Sequence, residues 1–168
     1  MEFITSILID GFFAAIAAIG FAVISNPPKK AVLGSALLAA VGHAFRYYLL
    51  HTTSLDIATA TFFAAALIGI LSFGLAKLIH CPNEVFTFPS LLPMIPGMYA
   101  YKMFLSLTKF MRCDDPAMYQ QLIVDIFKNG LTAIFILIAL VVGVSLPVLL
   151  FHKQSFMMTR LLKPINRS

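Results

Sequence analysis

Charge is scarce in this sequence. Asp, Glu, Lys and Arg make up 11% of the 168 residues, while 60% are hydrophobic. A water-soluble domain carries roughly a quarter charged residues, so most of this chain is not the surface and core of one. Tryptophan is absent and there are only two cysteines, Cys81 and Cys113, too few for a disulfide framework. The four histidines and two cysteines fall without metal-ligand spacing, so no metal site is expected. Glycine-rich phosphate loops and nucleophile elbows are missing, which leaves no basis for a nucleotide, a cofactor or a familiar hydrolase. The net charge of +5 forms no basic stripe interleaved with aromatics, so nucleic acid is not an expected partner. Nor does the sequence alternate apolar and polar residues in short segments as a transmembrane barrel does.

What is present is apolar length. Five runs, Ile4–Ser25, Ala31–Leu50, Ile57–Ile79, Val85–Leu107 and Leu131–Phe151, each approach the ~20 residues needed to cross about 30 Å of hydrocarbon as a helix. Unpaired backbone is costly in lipid, so helices are required. The expected fold is a single all-α domain over residues 1–168, a polytopic membrane bundle of about five spans with the fourth broken. The first run carries Glu2 and Asp10 and lacks a basic leader region, so it reads as a span and not a cleaved signal. Lys29, Lys30, Lys77, Lys153, Arg160, Lys163 and Arg167 fall on one side, and Lys102, Lys109, Arg112 and Lys128 near the other. This bias favours an outside N-terminus and a cytoplasmic C-terminus, with the two cysteines on opposite sides. A re-entrant second run would instead leave four spans. Asp114-Asp115-Pro116 reads as a helix start, and Ala117–Lys128 extends the last helix outward as an amphipathic stem. The basic tail from His152 to Arg167 is placed against anionic headgroups.

Small residues recur at four-residue spacing in Thr61, Ala65 and Gly69 and in Ala139 and Gly143, and the first run is alanine-rich along Asp10, Ala14 and Ala17. Such faces let helices approach closely in lipid and point to a packed bundle with partners.

Three polar residues lie inside apolar runs. Asp10 is a candidate proton or ammonium binder; six residues into its run, it is also near enough to the interface to snorkel. His43 and Arg46 are three apart and share a helix face. The guanidinium can clamp a carboxylate with two hydrogen bonds, and the imidazole titrates near neutrality and can relay protons. The structural alternative has Arg46 reaching headgroups and His43 bonded to a carbonyl. Intramembrane ionisable residues are costly and default to function.

The fourth run contains Pro89, Pro93, Pro96 and Gly97, a density that a regular helix does not accept. Broken backbone at membrane depth needs protein or a water-filled cavity around it. A helix restarting near Gly97 would aim its first amides at an anionic group. Pro93, Pro96, Gly97 and Tyr101 therefore join Arg46 and His43 as candidate substrate contacts, with Asp10 and His43 as proton-coupling candidates. The bland alternative is a capped loop between two short helices.

Taken in order, Asp10, Gly20-Phe21-Ala22, Asn26-Pro27, Gly42-His43 with Arg46, Phe86-Thr87 and Pro93-Met94-Ile95-Pro96-Gly97 with Tyr101 resemble the small, C-terminal-type subunit of the split threonine/serine exporter family (ThrE-type). The resemblance implies a multi-pass protein of a bacterial inner membrane that exports threonine or serine as a secondary transporter and works with a separate large subunit. A split pair of this type is associated with succinate export, so a C4-dicarboxylate is the alternative cargo. A homo-oligomer is a further assembly the small-residue faces allow. Two other classes compete with a transporter: an intramembrane enzyme, which would have to use Asp10 and His43, and a structural subunit whose polar residues only lock helices together.

Overall fold

The computed structural model describes residues 2–150. The basic tail and the last residue of the fifth apolar run lie outside the described residues. Six α-helices make up the fold: α1 Glu2–Ile24, α2 Lys29–Thr52, α3 Ile57–Ile79, α4 Glu84–Leu91, α5 Gly97–Arg112 and α6 Pro116–Leu150, with a 3-10 turn at Leu92–Met94 between α4 and α5. Helices α1, α2, α3 and α6 are long and apolar enough to cross a membrane. The chain is a multi-pass membrane protein of the all-α class. The second run spans as a 24-residue helix, which removes the basis for the re-entrant reading.

Local chemistry sets the helix ends. Pro27 and Pro28 separate α1 from α2, and Asn26 takes a left-handed backbone in that turn with φ 48. Asp56 caps α3 by accepting from the Ala58 and Thr59 amides at 3.0 and 3.2 Å. His80 closes α3 in the left-handed region, its amide donating to the Ala76 carbonyl.

Small residues bring the helices together. Gly11, Ala14, Ala18 and Ala22 form the buried stripe of α1. A Cβ on Gly11 would stand 3.0 Å from the Ala40 carbonyl oxygen of α2. A Cβ on Gly143 would stand 2.6 Å from the Phe62 carbonyl oxygen, and one on Gly69 would stand 3.0 Å from that of Val144. The stripes read from the sequence at Thr61-Ala65-Gly69 and Ala139-Gly143 therefore pack α3 on α6 within this chain. Little hydrophobic drive brings helices together in lipid, so close van der Waals approach of this kind holds the bundle. The large buried side chains at the centre are Leu38, Ile68, Phe86, Met94 and Ile136.

The packing pairs give the direction of each pass. Gly34 meets Phe86, and Gly42 meets Met94, so α4 and its turn run alongside α2 in the same direction. Gly143 meets Phe62 and Ala65, while Gly69 meets Val144 and Pro147; α6 thus returns parallel to α3. Met103 meets Gly130 and Phe110 meets Tyr119, so α5 and the first half of α6 form an antiparallel hairpin. Among the described residues, the fourth apolar run carries the chain back between α3 and α6 as two helices and a break, beside the four helices long enough to span.

Helix α6 changes partner along its length. Its residues up to Gly130 face α5, and those from Ile136 to Pro147 face α3 and the core. At 1.5 Å per residue its 35 residues reach about 52 Å, beyond a hydrocarbon layer of about 30 Å. The first half is the projecting stem expected from the sequence. Cys81 follows α3, Cys113 sits at the tip of the α5–α6 hairpin, and both are free.

Candidate functional site

The break in the fourth run faces the middle of α2. Met94 is 1% exposed, and a Cβ on Gly42 would meet its Cε at 3.0 Å and Ile68 Cδ1 at 2.4 Å. Any larger residue at 42 would make the Ile68 and Met94 side chains shift. The two prolines act as their chemistry requires. Ile95 takes an extended backbone with φ −59 and ψ 132 before Pro96. The Leu92 carbonyl, which loses its donor to Pro96, accepts from the Ile95 amide at 3.1 Å.

Pro89 behaves differently from the expectation. It lies inside α4 without ending it. Its ring removes the donor for the Val85 carbonyl; the Ser35 hydroxyl of α2, which donates to the Ala31 carbonyl at 3.0 Å, shares its proton with that carbonyl at 3.4 Å. The Ser90 hydroxyl donates to the Ser35 carbonyl at 3.1 Å and to the carbonyl of Phe86. A polar seam between α2 and α4 thus lies beside the carbonyl that the proline strands.

Beside the break, His43 Nδ1 stands 3.0 Å from Asp10 Oδ2. The carboxylate accepts, so the pair is a charge-assisted bond across the α1–α2 interface. Residues 33 apart in sequence meet because Gly11 and Ala40 let the two helices touch one position away. His43 is 6% exposed, and its Nε2 is buried without a hydrogen-bond partner among the described residues. The backbone of Pro93 also interacts with the imidazole. Arg46 lies one turn along α2, half-buried, within electrostatic reach of Asp10 and Tyr99. It closes no ion pair among the described residues, which leaves its planar donor fork uncommitted.

The site candidates separate on this geometry. Asp10, His43, Arg46 and Pro93 converge. Helix α5 restarts at Gly97 as expected, with Pro96 as its N-cap. The amides there are largely occupied: Gly97 donates to Ile95 at 2.8 Å, and Tyr99 and Ala100 both donate to Pro96 at 3.1 Å. The expected anion cradle of helix amides is accordingly reduced. Gly97 has no positive φ, so its conformational freedom is unused; a Cβ there would meet open space. Tyr101 is 60% exposed, on the side of α5 away from Arg46. Tyr99, half a turn earlier, is the tyrosine that reaches the cluster. Its three-residue spacing from Pro96 was the available signal, since that sets the face a restarted helix turns inward.

A family model described as threonine/serine exporter, ThrE, matches residues 10–150. An uncharacterized protein of Haemophilus influenzae (strain Rd) is 40% identical over 153 residues, 90% of this chain and 50% of that protein. The chain spans about half the length of that curated relative. No solved structure matches.

Proposed function

This chain belongs to the threonine/serine exporter (ThrE) family, and on that premise we propose that it is the smaller membrane subunit of a secondary exporter of small carboxylate-bearing metabolites, threonine and serine first among them. One observation carries the reading: the Asp10–His43 pair, 3.0 Å apart, lies beside an uncommitted Arg46 at the level of a broken membrane segment. In the bilayer such groups are costly unless they serve a path or a partner.

In this reading the Arg46 fork binds the carboxylate, and the break at Pro93–Gly97 opens to admit it. The Asp10–His43 pair carries the proton. A second proton on the imidazole turns Nε2 from an unpaired acceptor into a donor. Pro93 of the broken segment interacts with the same ring, so in this reading protonation of the pair acts on that segment. Nothing in this scheme makes or breaks a covalent bond, in keeping with a transporter and not an enzyme. The host membrane is the inner membrane of a bacterium.

A large subunit of the same family supplies the remainder in trans. One observation supports this. The Asp10 side chain is 37% exposed at the bundle surface, where lipid is a poor neighbour for a carboxylate. The test is efflux of labelled threonine, serine and succinate from cells lacking this chain, before and after its return. Restored efflux of an amino acid only in the presence of the large subunit is expected. Unchanged efflux of all three compounds would remove the reading.

A further inference from the structure

The α5–α6 hairpin encloses a cleft of about 440 Å³ lined by Tyr99, Lys102, Ser106, Asp125, Lys128 and Asn129, with Leu105 at its side. It lies on the stem, beyond the part of α6 that packs on α3, and outside the centre described above. The cleft is open along one side. Its composition is unusual for this chain: three charged groups of both signs converge where most surface is apolar.

These groups are not spent on one another. Lys102 of α5 and Lys128 of α6 face the same space as Asp125, yet none of the three is in an ion pair among the described residues. Asp125 and Lys128 are three apart on one helix, a spacing at which such pairs commonly form. The Asn129 side-chain nitrogen donates to the Asp125 carbonyl at 2.7 Å, which holds that amide in place and leaves its oxygen available. The Ser106 hydroxyl makes no hydrogen bond among the described residues. At the inner end Tyr99 packs against the core and comes within reach of Arg46.

We propose that this cleft is a vestibular binding site for a small zwitterionic amino acid, its carboxylate held by Lys102 and Lys128 and its ammonium by Asp125. The ligand passes from there beside Tyr99 to Arg46. The two lysines alone would fit any anion, a lipid phosphate or a dicarboxylate included. Asp125 decides the class, because it repels a second carboxylate or a phosphate and pairs with an ammonium. The inference rests on the transport function proposed above and adds a second site to it.

The experiment places one cysteine in the cleft. Ser106→Cys is made in a full-length chain with Cys81 and Cys113 changed to serine. The chain is co-expressed with its large subunit and studied in right-side-out and inside-out vesicles. A membrane-impermeant maleimide reports access from the side that bears the stem. With L-serine at about ten times its Kd, labelling should slow roughly tenfold. Succinate and inorganic phosphate at the same concentration should leave the rate unchanged, as should replacing a phosphatidylcholine bilayer by one containing phosphatidylglycerol. Protection should vanish in Lys102→Gln/Lys128→Gln and persist in Arg46→Lys.

Protection by succinate as strong as by serine overturns the zwitterion assignment. Slowing by phosphatidylglycerol alone overturns it in favour of a lipid headgroup. Protection lost in Arg46→Lys but kept in the double lysine variant puts the ligand at the inner centre only. That last result overturns the vestibule and leaves the proposed function standing.

Discussion

His43 and Asp10 bond across the α1–α2 interface with Nδ1 and Oδ2 3.0 Å apart, near the middle of two membrane-spanning helices. The other imidazole nitrogen is buried and unpaired among the described residues, and the backbone of Pro93 in the broken segment interacts with the same ring. A titratable pair thus lies against a stretch of backbone that lacks regular helical bonding.

The direction of the passes puts the two native cysteines at opposite ends of the bundle, so each should label from one side only. In intact cells an impermeant maleimide should modify one of Cys81 and Cys113, and permeabilised cells should yield both. The charge bias favours Cys113 as the outward residue. Modification of both cysteines in intact cells would contradict five passes.

Gly143 sets the α3–α6 approach. Its Cβ would fall 2.6 Å from the Phe62 carbonyl oxygen and 2.9 Å from Ala65 Cβ, where backbone and not a flexible side chain must yield. Gly143→Ala should lower stability by about 1–3 kcal/mol, the usual range for overpacking, read as a drop in thermal midpoint in mild detergent. Gly74→Ala is the control, since its Cβ meets open space and alanine is the better helix former. Equal midpoints for the two variants would refute the contact.

The Ser35 hydroxyl, bonded to the Ala31 carbonyl at 3.0 Å, also reaches at 3.4 Å the Val85 carbonyl that Pro89 leaves without a helical donor. Ser35→Ala should cost about 1–3 kcal/mol, the usual penalty for leaving a buried acceptor unpaired. In a Pro89→Ala background the residue 89 amide can reach the Val85 carbonyl itself, so the same substitution should cost markedly less. A double-mutant cycle of thermal midpoints measures the difference, and strict additivity would show that the two residues are not coupled.

Much of this fold can be read from residue order. The third helix, Ile57–Ile79, coincides with its apolar run, because Asp56 caps its start and the Cys81-Pro82 turn follows its end. The break was legible because Pro93 and Pro96 each delete a backbone donor. Pro89 was not: the hydroxyl that reaches its stranded carbonyl comes from Ser35, more than fifty residues away, and local rules carry no information about such a partner. The same limit applies to the candidate site. Asp10 and His43 stand out singly, as ionisable residues in apolar runs. Their contact depends on the register of α1 against α2, set by Gly11 and Ala40. Tyr99, which comes within electrostatic reach of Arg46, does not stand out in this way, because proximity in sequence does not say which face of a restarted helix turns inward.

The most direct measurement compares uphill transport with exchange in proteoliposomes containing this chain and its large subunit. Under an imposed pH gradient, labelled serine is followed for wild type, Asp10→Asn and Arg46→Lys at matched protein level. Asp10→Asn should lose gradient-driven accumulation yet keep serine–serine exchange, because cargo binding survives when the proton carrier is neutral. Arg46→Lys should weaken both by roughly ten- to hundred-fold in apparent affinity, as expected for losing a charge-assisted hydrogen bond worth ~1.5–3 kcal/mol. Wild-type accumulation in Asp10→Asn together with wild-type affinity in Arg46→Lys would contradict the account.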